Sequence, residues 1–215
     1  MRIQFFILTA AALAFTSLLS ACGILAVGGI AAGAAVMADR RPPAVQAIDK
    51  GIDLEASNAL VKLFGENAHI KVTSFNQKVL VTGEAKDIEI KERAGDYVKS
   101  MKNVRSVFNE LLIAPNSSLG ARANDAYLVS KIKTQMIFTE QLPSNSMAIV
   151  AEGGSIYLMG ILTQNEAGLA KKVSSNSNGV KNVYAYFDII SEAEKKRLEK
   201  AGKAVESQPT TTPNN

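Results

Sequence analysis

The sequence contains very few of the side chains that metal sites and nucleophilic active sites use. Its 215 residues include one cysteine, Cys22, one histidine, His69, and no tryptophan. A lone cysteine excludes a disulfide within the chain, and no Cys/His cluster has the spacing of a zinc or iron site. A Ser/His/Asp site would need His69, which has no motif around it, and no glycine-rich phosphate loop is present. We therefore predict no enzymatic activity, no catalytic residues, no cofactor and no metal site.

Charge is distributed evenly along the chain, although the formal net charge is +4. Residues 52–113 contain nine basic and nine acidic side chains, and residues 124–190 contain five of each. Binding to nucleic acid by charge needs a basic surplus on one surface. Nucleic acid is therefore excluded as an expected partner.

The N-terminus has the composition of an export signal. Arg2 precedes an apolar stretch over residues 3–19, and the run Leu19-Ser20-Ala21-Cys22 follows. This order predicts a cleaved signal peptide over residues 1–21. A membrane-spanning helix is one alternative, since apolar residues continue from 24 to 37, but the Gly and Ala there gain little in hydrocarbon. A chance core cysteine is the other alternative.

A leucine, two small residues and a cysteine resemble the lipobox of bacterial lipoproteins. The resemblance implies that the Cys22 sulfur receives a diacylglycerol and that the acylated chain starts there. Three acyl chains would hold the protein at a membrane essentially permanently, whereas one chain binds reversibly. Gly23 follows the cysteine where an aspartate tends to retain such proteins at the inner membrane, so the outer membrane is favoured.

The segments that flank the central part of the chain are predicted to lack a packed fold. Residues 22–51 are expected to be a lipid-anchored tether rich in Gly and Ala. Arg40 and Arg41 either lie near lipid head groups or belong to a plain spacer, and Pro42-Pro43 is expected to stop any helix that starts there. At the other end, residues 192–215 are expected to form a short helix and a disordered tail.

Between these segments the chain contains an internal repeat, with one copy over residues 52–115, a linker over 116–123 and a second copy over 124–191. An acidic residue, Asp53 or Asp125, is expected to cap the first helix of each copy. Helical spacing of apolar residues predicts two helices per copy. The positions are Leu60, Val61, Phe64, Ile90, Ala94, Tyr97, Val98 and Met101 in the first copy, and Leu128, Val129, Ile132, Met136, Ala167, Ala170 and Val173 in the second.

Alternating residues predict two strands per copy, each with one buried face, and a third strand is expected to close each copy. The strands are expected at 70–72, 79–83 and 104–113, and at 147–149, 156–160 and 180–189. Hairpin turns are expected at 75–78 and 152–155, and Gly83 and Gly160 are expected to allow a sharp exit from the second strand. Asp53 and Asp125 are closer together along the chain than Gly83 and Gly160 are, which predicts an insertion in the second copy near residues 141–146.

The predicted fold class is α+β, with two small αββαβ domains in tandem. Each copy resembles a BON domain. The resemblance rests on the strand ends at 79–83 and 156–160 and on the run Gly179-Val180-Lys181-Asn182-Val183. The first copy departs from it with Asn103 in place of that glycine. Each copy has a limited core, and packing of one on the other would add to it.

The complete order resembles the two-BON-domain outer-membrane lipoproteins of the DolP type. The order comprises lipobox, Gly/Ala tether, Asp39-Arg40-Arg41, two such domains and a short tail. The resemblance implies a lipid-anchored protein at the outer membrane of a Gram-negative cell, facing the periplasm. It also implies binding of anionic phospholipid, support of envelope integrity and no catalytic residues.

The first helix of the second copy is the predicted membrane contact. If Leu128, Ile132 and Met136 are buried, the opposite face contains Tyr127, Lys131, Thr134 and Phe138. Aromatic rings favour the head-group level of a bilayer, and a lysine can reach a lipid phosphate. The matching positions of the first copy are expected to be Glu55, Ala59, Lys62 and Glu66, whose carboxylates would be repelled by anionic lipid.

Two alternatives stay open for this face. Tyr127 would pack on the first copy and Phe138 would lie past the helix end in the core, so that the residues make an interdomain contact. In the other alternative the protein is a scaffold or assembly factor, and the same face binds envelope proteins.

Overall fold

Each copy of the repeat folds into one small sheet with two helices on one of its faces. The structure is a computed structural model and describes residues 39–206, with side chains described as far as Ala201. The first copy consists of α1 (Pro43–Phe64), β1 (Ala68–Phe75), β2 (Lys78–Ala85), α2 (Ile88–Ser100), β3 (Ser106–Asn109) and β4 (Leu112–Ile113). The second consists of α3 (Leu119–Ile137), β5 (Met147–Glu152), β6 (Ser155–Thr163), α4 (Gln164–Ser175) and β7 (Asn182–Ile190), and α5 (Glu192–Glu206) follows. The predicted α+β class and the αββαβ order of each copy are confirmed.

The two sheets have the same topology. β2 pairs antiparallel with β1 and parallel with β3 and β4, which divide the last strand of the first copy into two short pieces. β6 pairs antiparallel with β5 and parallel with β7. The second strand of each copy is therefore the central strand of its sheet. The predicted signal peptide, the anchor Cys22 and the tail from residue 207 onward lie outside the described residues.

Both first helices begin earlier than predicted. α1 starts at Pro43, well before Asp53, because a proline in the first turn of a helix lacks only an N–H that would have no partner there. The proline pair therefore begins a helix, and residues 43–51 of the expected tether are helical. The predicted stop of a helix before this pair concerns residues outside the described part of the chain. α3 starts at Leu119, where the side chain of Ser118 accepts a hydrogen bond from the Ala121 amide, so the predicted cap at Asp125 is also wrong.

Asp49 and Asp125 show the true register between the copies. Asp125 accepts hydrogen bonds from the amides of Gly153 and Gly154, and Asp49 accepts them from the equivalent hairpin amides of Asn76 and Gln77. With these two aspartates aligned, the buried positions of the helices match one for one; they are Asp49, Ile52, Ala56 and Leu60 of α1, and Asp125, Leu128, Ile132 and Met136 of α3. The predicted alignment of Asp53 with Asp125 is therefore wrong by one helical turn.

The predicted insertion near residues 141–146 is accordingly wrong. When Asp49 is aligned with Asp125, the hairpin turns of the two copies coincide to within a single residue, so no extra segment is needed between helix and hairpin. The copies differ because α1 stays helical to Phe64, whereas α3 ends at Ile137. A turn after Ile137 occupies the place of the last turn of α1, and a short 3-10 helix (Ser144–Ser146) precedes β5.

The hairpin turns form as predicted, but two glycines have another role. Each turn has two central residues with positive φ, Asn76 and Gln77 in the first copy and Gly153 and Gly154 in the second, as tight hairpins require. Gly83 and Gly160 lie inside β2 and β6 and not at an exit. Because these glycines have no side chain, neighbouring backbone can approach them closely. A Cβ on Gly83 would overlap the His69 carbonyl.

The two sheets pack face to face, so the central strands are buried on both faces instead of one. Residues 79–85 of β2 and 156–163 of β6 are all buried. One face of each sheet contacts its own two helices, and the other face contacts the neighbouring sheet. The side chains of this interdomain layer include Phe75, Leu80, Phe108, Val150, Tyr157, Met159, Ile161 and Tyr186. The helices therefore lie on the outside of a double sheet.

Candidate functional site

The residues predicted to contact a membrane lie together on the exposed side of α3. They are Tyr127, Lys131, Thr134 and Phe138. Tyr127 is 61% exposed and Phe138 is 78% exposed, although Phe138 follows the last residue of the helix. The Lys131 ammonium donates to the carbonyl of Asn178 at 3.1 Å and lies 6.0 Å from the centre of the Tyr127 ring. This surface, which we call the α3 face, combines two aromatic rings with a cation between them.

The predicted buried side of α3 is confirmed, and it fixes the direction of the α3 face. Leu128, Ile132 and Met136 are buried and pack on the second sheet. The far side of that sheet packs on the first copy. The α3 face therefore points away from the first copy, and the alternative in which Tyr127 packs on that copy does not agree with its exposure.

Sequence reasoning missed two apolar side chains of α3, Leu119 and Ile137. Both are exposed, and they are the first and last residues of the helix. About five whole helical turns separate them, so they form one line along the edge of the α3 face. Leu119 was missed because α3 begins at this residue, before the start of the predicted helix.

The α3 helix has no exposed carboxylate. It contains a single acidic residue, Asp125, which is buried and accepts hydrogen bonds from the amides of the hairpin turn. The Asp125 charge is therefore turned toward the interior of the second copy. The exposed length of α3 offers apolar, neutral polar and cationic side chains only.

The equivalent surface of α1 has a different chemistry. With Asp49 aligned to Asp125, the positions that match the α3 face are Gly51, Glu55, Asn58 and Lys62. The earlier matching to Glu55, Ala59, Lys62 and Glu66 is therefore wrong. Neither aromatic ring has an aromatic counterpart in α1, and Glu55 occupies the place of Lys131.

One apolar position of the predicted α1 stripe is also wrong, since Val61 is exposed, whereas Leu60 and Phe64 are buried.

Arg40 is buried and Arg41 is partly buried, and both form ion pairs within the protein, so their predicted placement near lipid head groups is wrong. The Arg40 side chain is 1% exposed and forms a bidentate pair with Glu166, at 2.7 and 2.9 Å. It also donates to Glu199 of α5 and to the carbonyl of Ile161. Arg41 pairs with Asp49 at 2.9 Å. Arg40, which lies shortly before α1, is therefore fixed to the second copy.

Glu166 is the centre of this charged cluster. Lys195 of α5 lies 2.8 Å from its carboxylate, and the Thr163 amide donates to the same group. Burial alone would raise the pKa of Glu166, but the hydrogen bonds from Arg40, Lys195 and the Thr163 amide outweigh it and lower the pKa to about 2. Glu166 therefore stays ionised, and it joins the segment before α1, the helix α4 and the helix α5.

Polar contacts fix the two copies against each other at the interdomain layer. The rings of Phe108 and Tyr186 stack with centres 4.0 Å apart, and the Tyr186 hydroxyl donates to Glu110 at 2.6 Å. Lys78 of the first copy pairs with Asp188 of the second at 2.8 Å. Stacking and charge-assisted hydrogen bonds define one arrangement of the sheets.

A second cluster of polar side chains bridges the copies. His69 and Glu84 face each other across β1 and β2, with Nδ1 and Oε2 3.2 Å apart, and Glu152 of β5 lies beside them. Burial, together with the neighbouring carboxylates of Glu84 and Asp125, raises the pKa of Glu152 to about 7, although Lys71 opposes the shift. The sequence gives no hint of this cluster, because its members are far apart along the chain.

Among residues 39–206, no helix combines the length and the apolar character needed to cross a bilayer.

Comparison with known proteins gives one family over most of the described chain. Residues 49–115 and 124–191 each match the BON domain. The outer membrane lipoprotein DolP of Haemophilus influenzae is 28% identical over 177 residues, which cover 81% of this chain and 92% of that protein. A 21 kDa hemolysin of Actinobacillus pleuropneumoniae is 25% identical over 125 residues, which cover 58% of this chain and 64% of that protein.

Similarity to solved structures is weak. CdsD, a structural protein of the type III secretion system of Chlamydia trachomatis, aligns with 75% of this chain and 99% of its own. The identity is 10% and the TM-score is 0.28, values that carry no conclusion about fold or function.

Proposed function

Because this chain belongs to the BON domain family, with two copies in tandem, we propose that it binds anionic phospholipid through the α3 face and helps to maintain the cell envelope. It is an outer-membrane-associated lipoprotein of the DolP type, as the likeness to DolP over 81% of the chain indicates. The predicted acylation of Cys22 would place the two domains beside the bilayer. The role that we propose is non-catalytic.

The observation that carries this proposal is the composition of the α3 face. Tyr127 and Phe138 are large, exposed and apolar, and Lys131 lies between them. Burying an aromatic ring in the interface removes apolar area from water, and each lysine near an anionic surface contributes about 1 kcal/mol. With no exposed carboxylate along α3, nothing on the helix opposes that attraction.

The architecture also supports contact between the α3 face and a bilayer. The double sheet occupies the middle of the protein, and α3 lies on its outer side. A planar bilayer can therefore contact α3 along its whole exposed length without rearranging the core. α1 occupies the corresponding place on the other side, but Glu55 replaces the central lysine and no aromatic ring is present at the matching positions.

The test uses the mature chain with Cys22→Ser, so that no acyl chain contributes to binding. Flotation with vesicles of phosphatidylglycerol and phosphatidylethanolamine compares the parent with Tyr127→Ala/Lys131→Glu. Reversing one charge removes about 2 kcal/mol of attraction, which is more than tenfold in affinity, and the loss of the ring adds to this. We expect binding of the variant to fall by at least about tenfold.

Leu54→Ala/Lys62→Glu is the matched control, on α1. It removes an apolar side chain that is 63% exposed, close to the 61% of Tyr127, and makes the same change of charge. The control is expected to bind these vesicles within about twofold of the parent, since α1 does not lie in the contact. Equal losses of vesicle binding in the two variants would show that the assignment to α3 is wrong.

The alternative function is a scaffold that contacts envelope proteins through the same face. It predicts that the parent does not float with pure lipid vesicles and that it co-purifies with a stoichiometric protein that the Tyr127→Ala/Lys131→Glu variant loses. In cells, we expect the same variant to increase outer-membrane permeability, and we expect Cys22→Ala to do so as well through loss of the predicted anchor.

A further inference from the structure

Three side chains with metal-binding atoms converge between the two domains. His69 of β1 and Glu84 of β2 are opposite each other in the antiparallel register and belong to the first domain. Glu152, the last residue of β5, belongs to the second domain. One ligand atom of each residue lies within 4.8 Å of the other two. The packing of the sheets therefore creates a cluster that neither domain contains alone.

Two of these groups are buried carboxylates that face each other. Glu84 is 6% exposed and Glu152 is 5% exposed. Among the described side chains, Glu152 forms no ion pair with a lysine or arginine, and its hydrogen-bonding neighbour is the Glu84 carboxyl group. Lys71 affects Glu152 only by electrostatic attraction, without a hydrogen bond. Two carboxyl groups side by side need a shared proton or a bound cation, because buried charge of one sign is strongly unfavourable.

The surroundings hold Glu84 in a fixed direction. The Ser117 hydroxyl donates to Glu84 Oε2 at 3.2 Å, and Arg122 Nε donates to the Ser117 hydroxyl at 3.1 Å. Asp125 is close enough to affect Glu152, but both of its oxygens accept hairpin amides, so it is not a free ligand. Outer hydrogen bonds of this kind orient the ligands of protein metal sites.

We propose that His69, Glu84 and Glu152 form a binding site for a divalent transition-metal ion of the zinc type, held between the two BON domains. An imidazole nitrogen and two carboxylate oxygens are a ligand set that zinc takes, whereas calcium and magnesium prefer oxygen alone. Ligand atoms around zinc lie about 3–3.5 Å apart, so atoms that lie up to 4.8 Å apart in the cluster would approach by up to about 1.5 Å. Three protein ligands leave a fourth position for water.

The ion would connect the domains, since two ligands come from one and the third from the other. Binding would replace the repulsion of the two carboxylates with coordination to one cation. An ion that binds only the folded arrangement stabilises it in proportion to the logarithm of its concentration over Kd. The site would therefore make the attachment of the two domains depend on zinc. The zinc site does not involve the α3 face, so the outcome of its test does not affect the lipid proposal.

The composition of the chain limits the number of competing zinc ligands in the experiment. His69 is the only histidine and Cys22 the only cysteine, so the untagged mature chain with Cys22→Ser offers zinc no other imidazole and no thiol. Calorimetric titration of this protein with zinc chloride, after treatment with a chelating resin, is expected to show one ion per chain. His69→Ala and Glu152→Gln are each expected to weaken binding by at least about tenfold. Glu89→Gln, at an exposed carboxylate on α2, is the control and is expected to bind zinc as the parent does.

A thermal unfolding series provides the second measurement and does not depend on the histidine variant folding. Without metal, Glu152→Gln is expected to unfold at or above the midpoint of the parent, because it removes the repulsion of Glu84. With saturating zinc the order is expected to reverse, since only the parent gains the stabilisation of the ion. Zinc that binds the two ligand variants as tightly as the parent, or that shifts their midpoints equally, would overturn the proposal. Failure of the folded parent to bind zinc would overturn it as well.

Discussion

Arg40 and Glu166 form a buried bidentate ion pair across 126 residues of sequence, with nitrogen–oxygen distances of 2.7 and 2.9 Å. Arg40 precedes the first helix, and Glu166 lies in the first turn of α4 in the second domain. The pair therefore joins the segment on the anchor side of the protein to the domain that bears the α3 face. Because both side chains are buried, each depends on the other for its charge to be tolerated.

Replacing Arg40 with methionine is expected to lower the free energy of unfolding by about 3–5 kcal/mol, because Glu166 would lose its main partner in the interior. Urea unfolding monitored by circular dichroism measures the change. Arg93→Met is the control, since Arg93 forms an exposed pair with Glu89 and lies over the Phe64 ring, and is expected to contribute at most about 1 kcal/mol. A loss for Arg40→Met as small as that of the control would show that the buried pair adds nothing to stability.

The pKa of Glu166 predicts how stability depends on acid. The folded protein lowers this pKa from 4.5 to about 2, so the folded state binds the proton less tightly than the unfolded chain does. The contribution of Glu166 is therefore complete above about pH 4.5 and is lost as the pH falls toward about 2. We expect the stability difference between the parent and Glu166→Gln to shrink over this range. Urea unfolding of both proteins at several pH values measures it, and a difference that stays constant would contradict the shift.

Two glycines are expected to respond to alanine in opposite ways. Gly83 has a φ of +113°, and an added Cβ would overlap the His69 carbonyl, so Gly83→Ala is expected to destabilise the protein by at least about 2 kcal/mol. Gly168 lies exposed in α4 with nothing within 4 Å of an added Cβ, so Gly168→Ala is expected to stabilise it by about 0.5–1 kcal/mol. The unfolding midpoints of both variants in urea measure this pair. A Gly83→Ala variant as stable as the parent would mean that β2 can rearrange around position 83.

Much of the fold could be predicted from local patterns. Helical spacing identified the buried residues of α2 and α4, and alternating residues with tight turns identified the hairpins, because both signals depend on neighbours in sequence. The helix starts could not be placed as well. Pro43 is compatible with either the end or the beginning of a helix, so the local pattern alone does not decide between them.

The candidate site shows the same division. The order of Tyr127, Lys131 and Phe138 along one helix was enough to place them on one face, since the helical repeat is a property of the backbone. Their exposure was not predictable, because it depends on which side of the second sheet the first domain covers. The cluster of His69, Glu84 and Glu152 had no sequence signal at all, because Glu84 and Glu152 belong to different copies of the repeat, with α2 and α3 between them.

By itself, the sequence determined the two αββαβ units, the faces of their helices and the absence of a disulfide, since these follow from the spacing and type of neighbouring residues. Only the tertiary structure decided that the sheets pack face to face, that Arg40 is buried and that β2 and β6 have no solvent-facing side. The reason is that each of these depends on apolar area and charge supplied by the other copy of the repeat. Burial of that area drives association without regard to distance along the chain.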